Sequence, residues 1–481
     1  MVSSQWTLAY ALPILLSLVG VSLTTPVDAR ALATRWELPD TAQEIDQKAF
    51  NNLDPIASQN VTDGSYLFIP PGSTAESLKA KPFHVYDDNF LTILGSNPTL
   101  TLIADSGTDP LFHEAAVWWP PTDEVFFVQN AGAKAAGTGL AKSAIIEKIS
   151  LSQAAAAAAG GNANATGQVD VVTVPSSPQV INPNGGTNWN GGIVFCGEGQ
   201  GPDVASALYY MNPVEPYNTT VILNNFYGRQ FNSLNDVAVH PNGWLYFTDV
   251  DYGVLQDFRA KVNIRRQVYR FRPDTGVVQA VTDHALRPNG ITFSPDGKWM
   301  YIADTGAAEG FTGMDWSLPA SIYLFLLLLD PARPLPPACE KWQSSHFSYR
   351  FPVNDDGTIG SATLFAYVSP GIPDGVHCDE AGNLYAGVGD GIHVWDPAGT
   401  LLGKIYVGAT SANFASSWEA TRPSTASTAS TVTHLCESLA DGQFAGKGRM
   451  VICAETELYY ATFAAEGAHL PGLQGLEGAG F

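Results

Sequence analysis

Three observations predict an all-β fold, a six-bladed β-propeller. Runs rich in Val, Ile, Tyr, Phe and Thr recur between Gly, Asn, Asp and Pro turns, and long stretches with 3.6-residue periodicity are scarce. Three segments share one register: NDVAVHPNGWLYFTD from Asn235, NGITFSPDGKWMYIAD from Asn289 and DGVHCDEAGNLYAG from Asp374. In each, a turn glycine follows the leading polar residue by eight positions, at Gly243, Gly297 and Gly382, and an aromatic strand residue comes after it. Each unit therefore reads as strand, hairpin turn, strand. The third observation is spacing: Asn235 to Asn289 spans 54 residues, the length of a four-stranded blade.

Blades are expected around Glu114, around Glu198, at Asn235, Asn289 and Asp374, and around FAGKGRMVICAETELYYATF, six in all. The ring has no exposed sheet edge if the N-terminal strand TLTLIADS pairs with the last blade. Asn289 to Asp374 spans 85 residues, about 31 more than the period predicts, so something is inserted there. The excess coincides with residues 324–350, a leucine run and a proline cluster, and a second irregular stretch rich in Ser, Thr and Ala covers 416–441. Surface loops and a retained intron explain both compositions equally well. Ala154 to Gly161 reads as a flexible excursion or a short helix. The expected organisation is a signal peptide over 1–29, an N-terminal wrap over 30–98 and the propeller over 99–481.

The signal peptide rests on the apolar run from Thr7 to Leu23, with Val27 and Ala29 as the small residues of a cleavage site. A retained anchor is the alternative, because the run lacks a basic flank and is long. Secretion would make glycosylation sites of the sequons at Asn60, Asn164 and Asn218. Five cysteines, Cys196, Cys339, Cys378, Cys436 and Cys453, are too few and too irregular for a disulfide scaffold or a zinc array and read as small buried hydrophobes. A formal charge of −22, from 24 basic and 46 acidic residues, repels phosphate backbones and anionic membranes. Nucleic acid is therefore not an expected partner, nor is a membrane once the signal is cleaved.

The shared register puts Asn235, Asn289 and Asp374 at equivalent heights facing the central channel. Glu114, in FHEAAVWWPPTDEVFFVQN, also stands just ahead of an apolar strand and adds a fourth oxygen donor. Two carboxylates and two amides form a hard-oxygen set of charge about −2, which suits Ca²⁺ rather than a softer metal. Asn-Gly and Asp-Gly are also turn dipeptides, but each unit already has its turn downstream. His113, His377 and His393 lack the spacing of a metal array and read as packed or solvent-facing side chains. No Gly-x-Ser-x-Gly elbow is present, and GEGQG lacks the helix and lysine of a phosphate loop.

With HEAAVW, FNSLNDVAVHPNGWLYFTD, LRPNGITFSPDGKWMYIADTG and GIPDGVHCDEAGNLYAGVGDGIHVWDP, the chain resembles the senescence-marker-protein, gluconolactonase and luciferin-regenerating-enzyme propellers from about Thr101 to Phe463. Through EVFFVQNAG, GEGQG, FNSLND and FAGKGRM it is similar to the secreted fungal-type lactonohydrolases that open aldonate and pantoyl lactones. The resemblance implies metal-dependent hydrolysis of a small lactone with a divalent metal, Ca²⁺ above others. It implies Glu114, Asn289 and Asp374 as metal ligands, Asp374 also as general base, and Asn235 and Glu198 as substrate-binding residues. Ser233 stands where some members carry an arginine, which leaves contacts to an anionic or heavily hydroxylated substrate open. Three alternatives stay open: a propeller esterase of other specificity, a strictosidine-synthase-like condensation, and a binding propeller whose calcium is structural.

Overall fold

The computed structural model describes residues 37–310, 313–326, 359, 362–408, 441–446, 448–468 and 471. Six sheets make six blades, antiparallel except for the pairing of Ala42–Glu44 with Phe83–Val85, which is parallel. The inner strands are Glu114–Trp119, Pro183–Trp189, Ser233–Val239, Pro288–Phe293, Val376–Cys378 and Asp441–Phe444. Each contacts the next in chain order, and the sixth contacts the first, so they enclose a central channel. The outer strand of the sixth blade, Thr99–Asp105, comes from the N-terminal side and runs antiparallel to Glu457–Thr462. Two further strands from that side, Phe83–Val85 and Ala42–Glu44, extend the fifth blade outward beyond Leu401–Tyr406.

The core is a set of layers between blades. Val117 and Phe126 of the first blade pack on Phe195 and Tyr209 of the second. Val194 and Leu208 pack on Leu234 and Phe247 of the third, and Tyr246 and Val268 on Ile291 and Ile302 of the fourth. Tyr301 meets Val376 of the fifth, Ile392 meets Ile452 of the sixth, and Tyr460 returns to Phe127 of the first. Alternation along each strand gives every blade two apolar faces, and each face is covered by a neighbour. Burial of one such aromatic or aliphatic side chain contributes about 1.5–3 kcal/mol, so the ring holds its blades in fixed register around the channel.

The turn glycines are where the sequence puts them: Gly243, Gly297 and Gly382 have φ of 87°, 67° and 84°, which a side chain would strain. Each closes its hairpin by donating its N–H, to the carbonyls of His240, Ser294 and Asp379 respectively. The alanine-rich stretch is a helix, Leu151–Ala158, with Leu151, Ala154 and Ala157 buried. Cys196, Cys378 and Cys453 are buried, and burial pushes the Cys196 and Cys378 thiols up. Asn60, Asn164 and Asn218 are all exposed. Leu324–Leu326 belong to the third strand of the fourth blade, Ser321–Leu326. The rest of the expected insert 324–350, insert 416–441 up to residue 440, the signal peptide 1–29, Cys339 and Cys436 lie outside the described residues. Among the described residues no helix is long and apolar enough to cross a membrane.

Candidate active site in the central channel

Near its start, each of the first four inner strands carries a bulge in which two residues face one on the second strand. The pairs are Ala115 and Ala116, Asn184 and Gly185, Asn235 and Asp236, and Asn289 and Gly290. In the fifth blade, Asp374 and Gly375 both bond to Gly387: the Asp374 N–H donates to the Gly387 carbonyl, and the Gly387 N–H donates to the Gly375 carbonyl, each at 3.0 Å. Asn235, Asn289 and Asp374 therefore occupy the same place on successive blades, as the shared register predicts. A bulge re-aims a side chain that regular pleating would send between the blades. Glu114 stands one place earlier, paired with Val128, while Ala115 takes the bulge position with φ 51°.

The backbones of these positions adjoin across blades. A Cβ placed on Gly290 would fall 2.2 Å from the Asp374 carbonyl oxygen, and one on Gly185 would fall 2.6 Å from the Asn235 carbonyl oxygen. Only glycine allows this approach. The Asp236 carboxylate accepts from the Val237 N–H at 2.7 Å and, across the blade gap, from the Ile291 N–H at 2.8 Å. Thr248 donates its hydroxyl to the Asn289 carbonyl at 2.9 Å and accepts from the Asp236 N–H at 3.0 Å. The aspartate that ends each YFTD and YIAD motif holds the corner before its inner strand. Asp249 accepts from the N–H groups of Asn232 and Ser233, both at 2.9 Å. Asp304 accepts from Leu286, Arg287 and Gly306 N–H at 2.8, 2.9 and 3.0 Å.

Glu114, Asn184, Asn235, Asn289, Asp374 and Glu198 are all between 1% and 5% exposed. The Asn235 Oδ1 and Glu198 Oε1 atoms are buried with no hydrogen-bond partner among the described residues. Leaving such oxygens dry costs about 1–3 kcal/mol each, which a ligand in the channel would offset. Glu198 follows the second strand of its blade, one step above Asn184. Burial pushes its carboxyl up to about 8, against the opposite pull of His113, Lys142 and Arg259. Asn184 was missed in the sequence, although Pro183-Asn184-Gly185 repeats the triplets Pro288-Asn289-Gly290 and Pro373-Asp374-Gly375. Its Oδ1 accepts from the Gly185 N–H at 3.0 Å, which turns its NH₂ away from its own backbone.

His113 is also part of this region. Its Nδ1 lies 2.7 Å from Glu455 Oε1, across the junction of the first and sixth blades. Burial alone would lower the His113 pKa, and the carboxylate of Glu455, hydrogen-bonded to it, together with that of Asp374 outweighs it and holds the imidazole above its ordinary value. A partner 342 residues away leaves no signal in sequence spacing. His393 is packed, bonded to Asp390 at 2.6 Å away from these residues. Among the described residues no group of three or more His, Cys, Asp or Glu is placed to hold a metal. A cation here must draw on amide oxygens, and the set of two carboxylates and two amides, with a bare buried Asn235 Oδ1, fits a hard divalent ion. Lower in the channel a cavity of about 60 Å³ is lined by Val117, Thr187, Val237, Thr292, His377 and Phe444.

Comparison with known proteins bears on the fold and on the family that the chain resembles. Residues 163–314 match the SMP-30/gluconolactonase/LRE-like region. Lactonohydrolase oryL of Aspergillus oryzae is 27% identical over 369 residues, covering 72% of this chain and 72% of that protein. A gluconolactonase of Zymomonas mobilis is 28% identical over 201 residues, covering 41% of this chain and 48% of its own length. The solved structure of a gluconolactonase from Xanthomonas campestris superposes with a TM-score of 0.52 at 18% identity, over 79% of this chain and 94% of that one, and shows the same fold.

Proposed function

We propose that this member of the SMP-30/gluconolactonase/LRE-like family hydrolyses a small lactone to its hydroxy acid in the central channel, with Glu114, Asn235, Asn289 and Asp374 at the reacting centre. The observation that carries the reading is the common bulge position of Asn235, Asn289 and Asp374 on three successive blades. Lactonohydrolase and gluconolactonase relatives give it its substrate class.

Hydrolysis needs a water oxygen to add to the lactone carbonyl carbon, a proton to leave that water, and a proton to reach the ring oxygen as its bond to the carbonyl breaks. Asp374 accepts the first proton as general base and returns it to the ring oxygen as the bond to the carbonyl carbon breaks, which regenerates its carboxylate. Glu198, protonated at neutral pH, donates a hydrogen bond to a substrate oxygen, and the Asn184 NH₂ donates another. The products are a hydroxyl and a carboxylic acid, which ionises and releases one proton per turnover. Glu114, Asn289 and Asp374, with Asn235 beside them, would hold a divalent cation, Ca²⁺ in preference to softer ions, and when bound it supplies Lewis-acid polarisation of the carbonyl. A cation bound beside Asp374 would depress its basicity.

Proton release on adding gluconolactone, galactonolactone or pantolactone, with the hydroxy acid identified by NMR, tests the proposal. Turnover that disappears in Asp374→Ala at unchanged thermal stability supports it. A folded wild-type protein that opens none of the three would refute it.

A further inference from the structure

A second site lies on the same face of the ring, where the second and third blades meet. The loop after the second strand of the second blade, the segment leading to the inner strand of the third, and the loop after that blade's second strand enclose a cavity of about 220 Å³. Its walls include Arg229, Gln230, Arg259, Lys261 and Asn263, and among the described residues no carboxylate lines it. Three cations around one cavity stand out in a chain with 24 basic and 46 acidic residues. The nearest acidic residues in sequence, Asp203 and Asp257, do not line it.

The cavity is built. The Arg259 side chain is 4% exposed, donates to the carbonyls of Val204 and Phe231 and to Gln230 Oε1, and keeps a buried Nε without a partner. Gln230 is braced in turn by the Pro202 carbonyl, and Arg229 by the Asn263 carbonyl. Carboxylates near Arg259 are Glu198, held protonated by burial at neutral pH, and Asp249, which accepts from Asn232 and Ser233. Arg259 lies close to residues of the reacting centre: a Cβ on Gly253 would meet both Arg259 Cγ, at 2.2 Å, and the Ser233 hydroxyl, at 2.5 Å, two residues from Asn235, and one on Gly199, next to Glu198, would fall 2.7 Å from an Arg259 guanidinium nitrogen.

We propose that this pocket is a subsite for an anionic group, carboxylate or phosphate, that the lactone substrate carries outside its ring. The inference rests on the lactonase reading for the ring itself. Arg229 and Lys261 reach the anion from the rim, and Arg259 supplies a fixed charge at the wall. A local cationic pocket also offsets the repulsion that a strongly acidic protein exerts on an anionic substrate.

The test pairs glucaro-1,4-lactone, which keeps a free carboxylate, with neutral galactonolactone, using full-length wild type and the double variant Arg229→Ala/Lys261→Ala, both exposed side chains. Expected is a rise of about tenfold in KM for the anionic lactone, competition by inorganic phosphate, and a neutral-lactone kcat/KM unchanged within twofold. An unchanged KM for the anionic lactone, or an equal loss on both, overturns the proposal. Calorimetric titration with inorganic phosphate separates the sources: phosphate binding lost in the variant while anionic-lactone kinetics stay wild type means a free-anion site, which also overturns it. If neither lactone is turned over, calorimetric binding of glucaro-1,4-lactone, weakened about tenfold in the variant, upholds the pocket while the lactonase reading fails. Equal binding rejects both.

Discussion

Replacing Gly290 by Ala separates the two halves of the reacting centre without touching any functional side chain. The new Cβ would lie 2.2 Å from the Asp374 carbonyl oxygen and 3.1 Å from Gly375 Cα. Both are backbone atoms, so no side chain can swing aside. Contact becomes ordinary only near 3.4 Å, so the inner strands of the fourth and fifth blades must part by about 1.2 Å. A displacement of that size between Asn289 and Asp374 is expected to lower kcat/KM about 100-fold, with an overpacking cost of about 1–3 kcal/mol. Gly276→Ala is the control. At φ 72° with nothing within 4 Å, it brings backbone strain of roughly 1 kcal/mol far from the channel. Lactone hydrolysis followed by proton release, beside urea unfolding of both variants, separates positioning from stability. The reasoning fails if Gly290→Ala turns over at the wild-type rate, or if Gly276→Ala loses as much activity.

Three further predictions follow from the same contacts. With the Glu198 carboxyl pushed up to about 8 by burial, activity should fall as pH rises through that value, and Glu198→Gln, which keeps a donor, should remove this alkaline limb; an unchanged profile would contradict the donor role. Asn184→Asp replaces the NH₂ by an acceptor and should raise KM for hydroxylated lactones several-fold with circular dichroism unchanged; identical kinetics would remove Asn184 from the site. Burial lowers His84 and His393 to about 4, below the ordinary 6.5, so folding favours their neutral forms. That stabilisation is present above pH 6.5 and is lost as pH falls from 6.5 towards 4, on the order of 3 kcal/mol for each. Urea midpoints flat across that window would show that neither histidine is buried as described.

The six-fold organisation was legible because a blade is a local object. Strand, turn glycine and strand fit within one short segment, so a shared offset from Asn235 to Gly243, Asn289 to Gly297 and Asp374 to Gly382 marks equivalent blades. The same locality exposed the bulge positions of Asn235, Asn289 and Asp374. Asn184 escaped although the signal was there: Pro183-Asn184-Gly185 repeats the triplet, and Asn190-Gly191-Gly192 puts a glycine at the same eight-residue offset, but after a shorter turn than those of the three aligned units. The Glu455 contact to His113 was illegible, since it arises only when the last blade meets the first. The same holds for the cationic cavity, whose walls come from three loops of two blades. Glu114 was found from its own motif, but its one-place offset depends on the left-handed backbone at Ala115, for which alanine gives no warning.

The most direct test is pH-stat hydrolysis of gluconolactone by protein dialysed against chelator, before and after calcium add-back, with Glu114→Gln in parallel. The account predicts little turnover in the stripped protein, recovery with calcium, and failure of Glu114→Gln to recover while its fold is retained. Full activity in the stripped protein, or recovery by Glu114→Gln equal to wild type, would contradict a metal held by these channel oxygens.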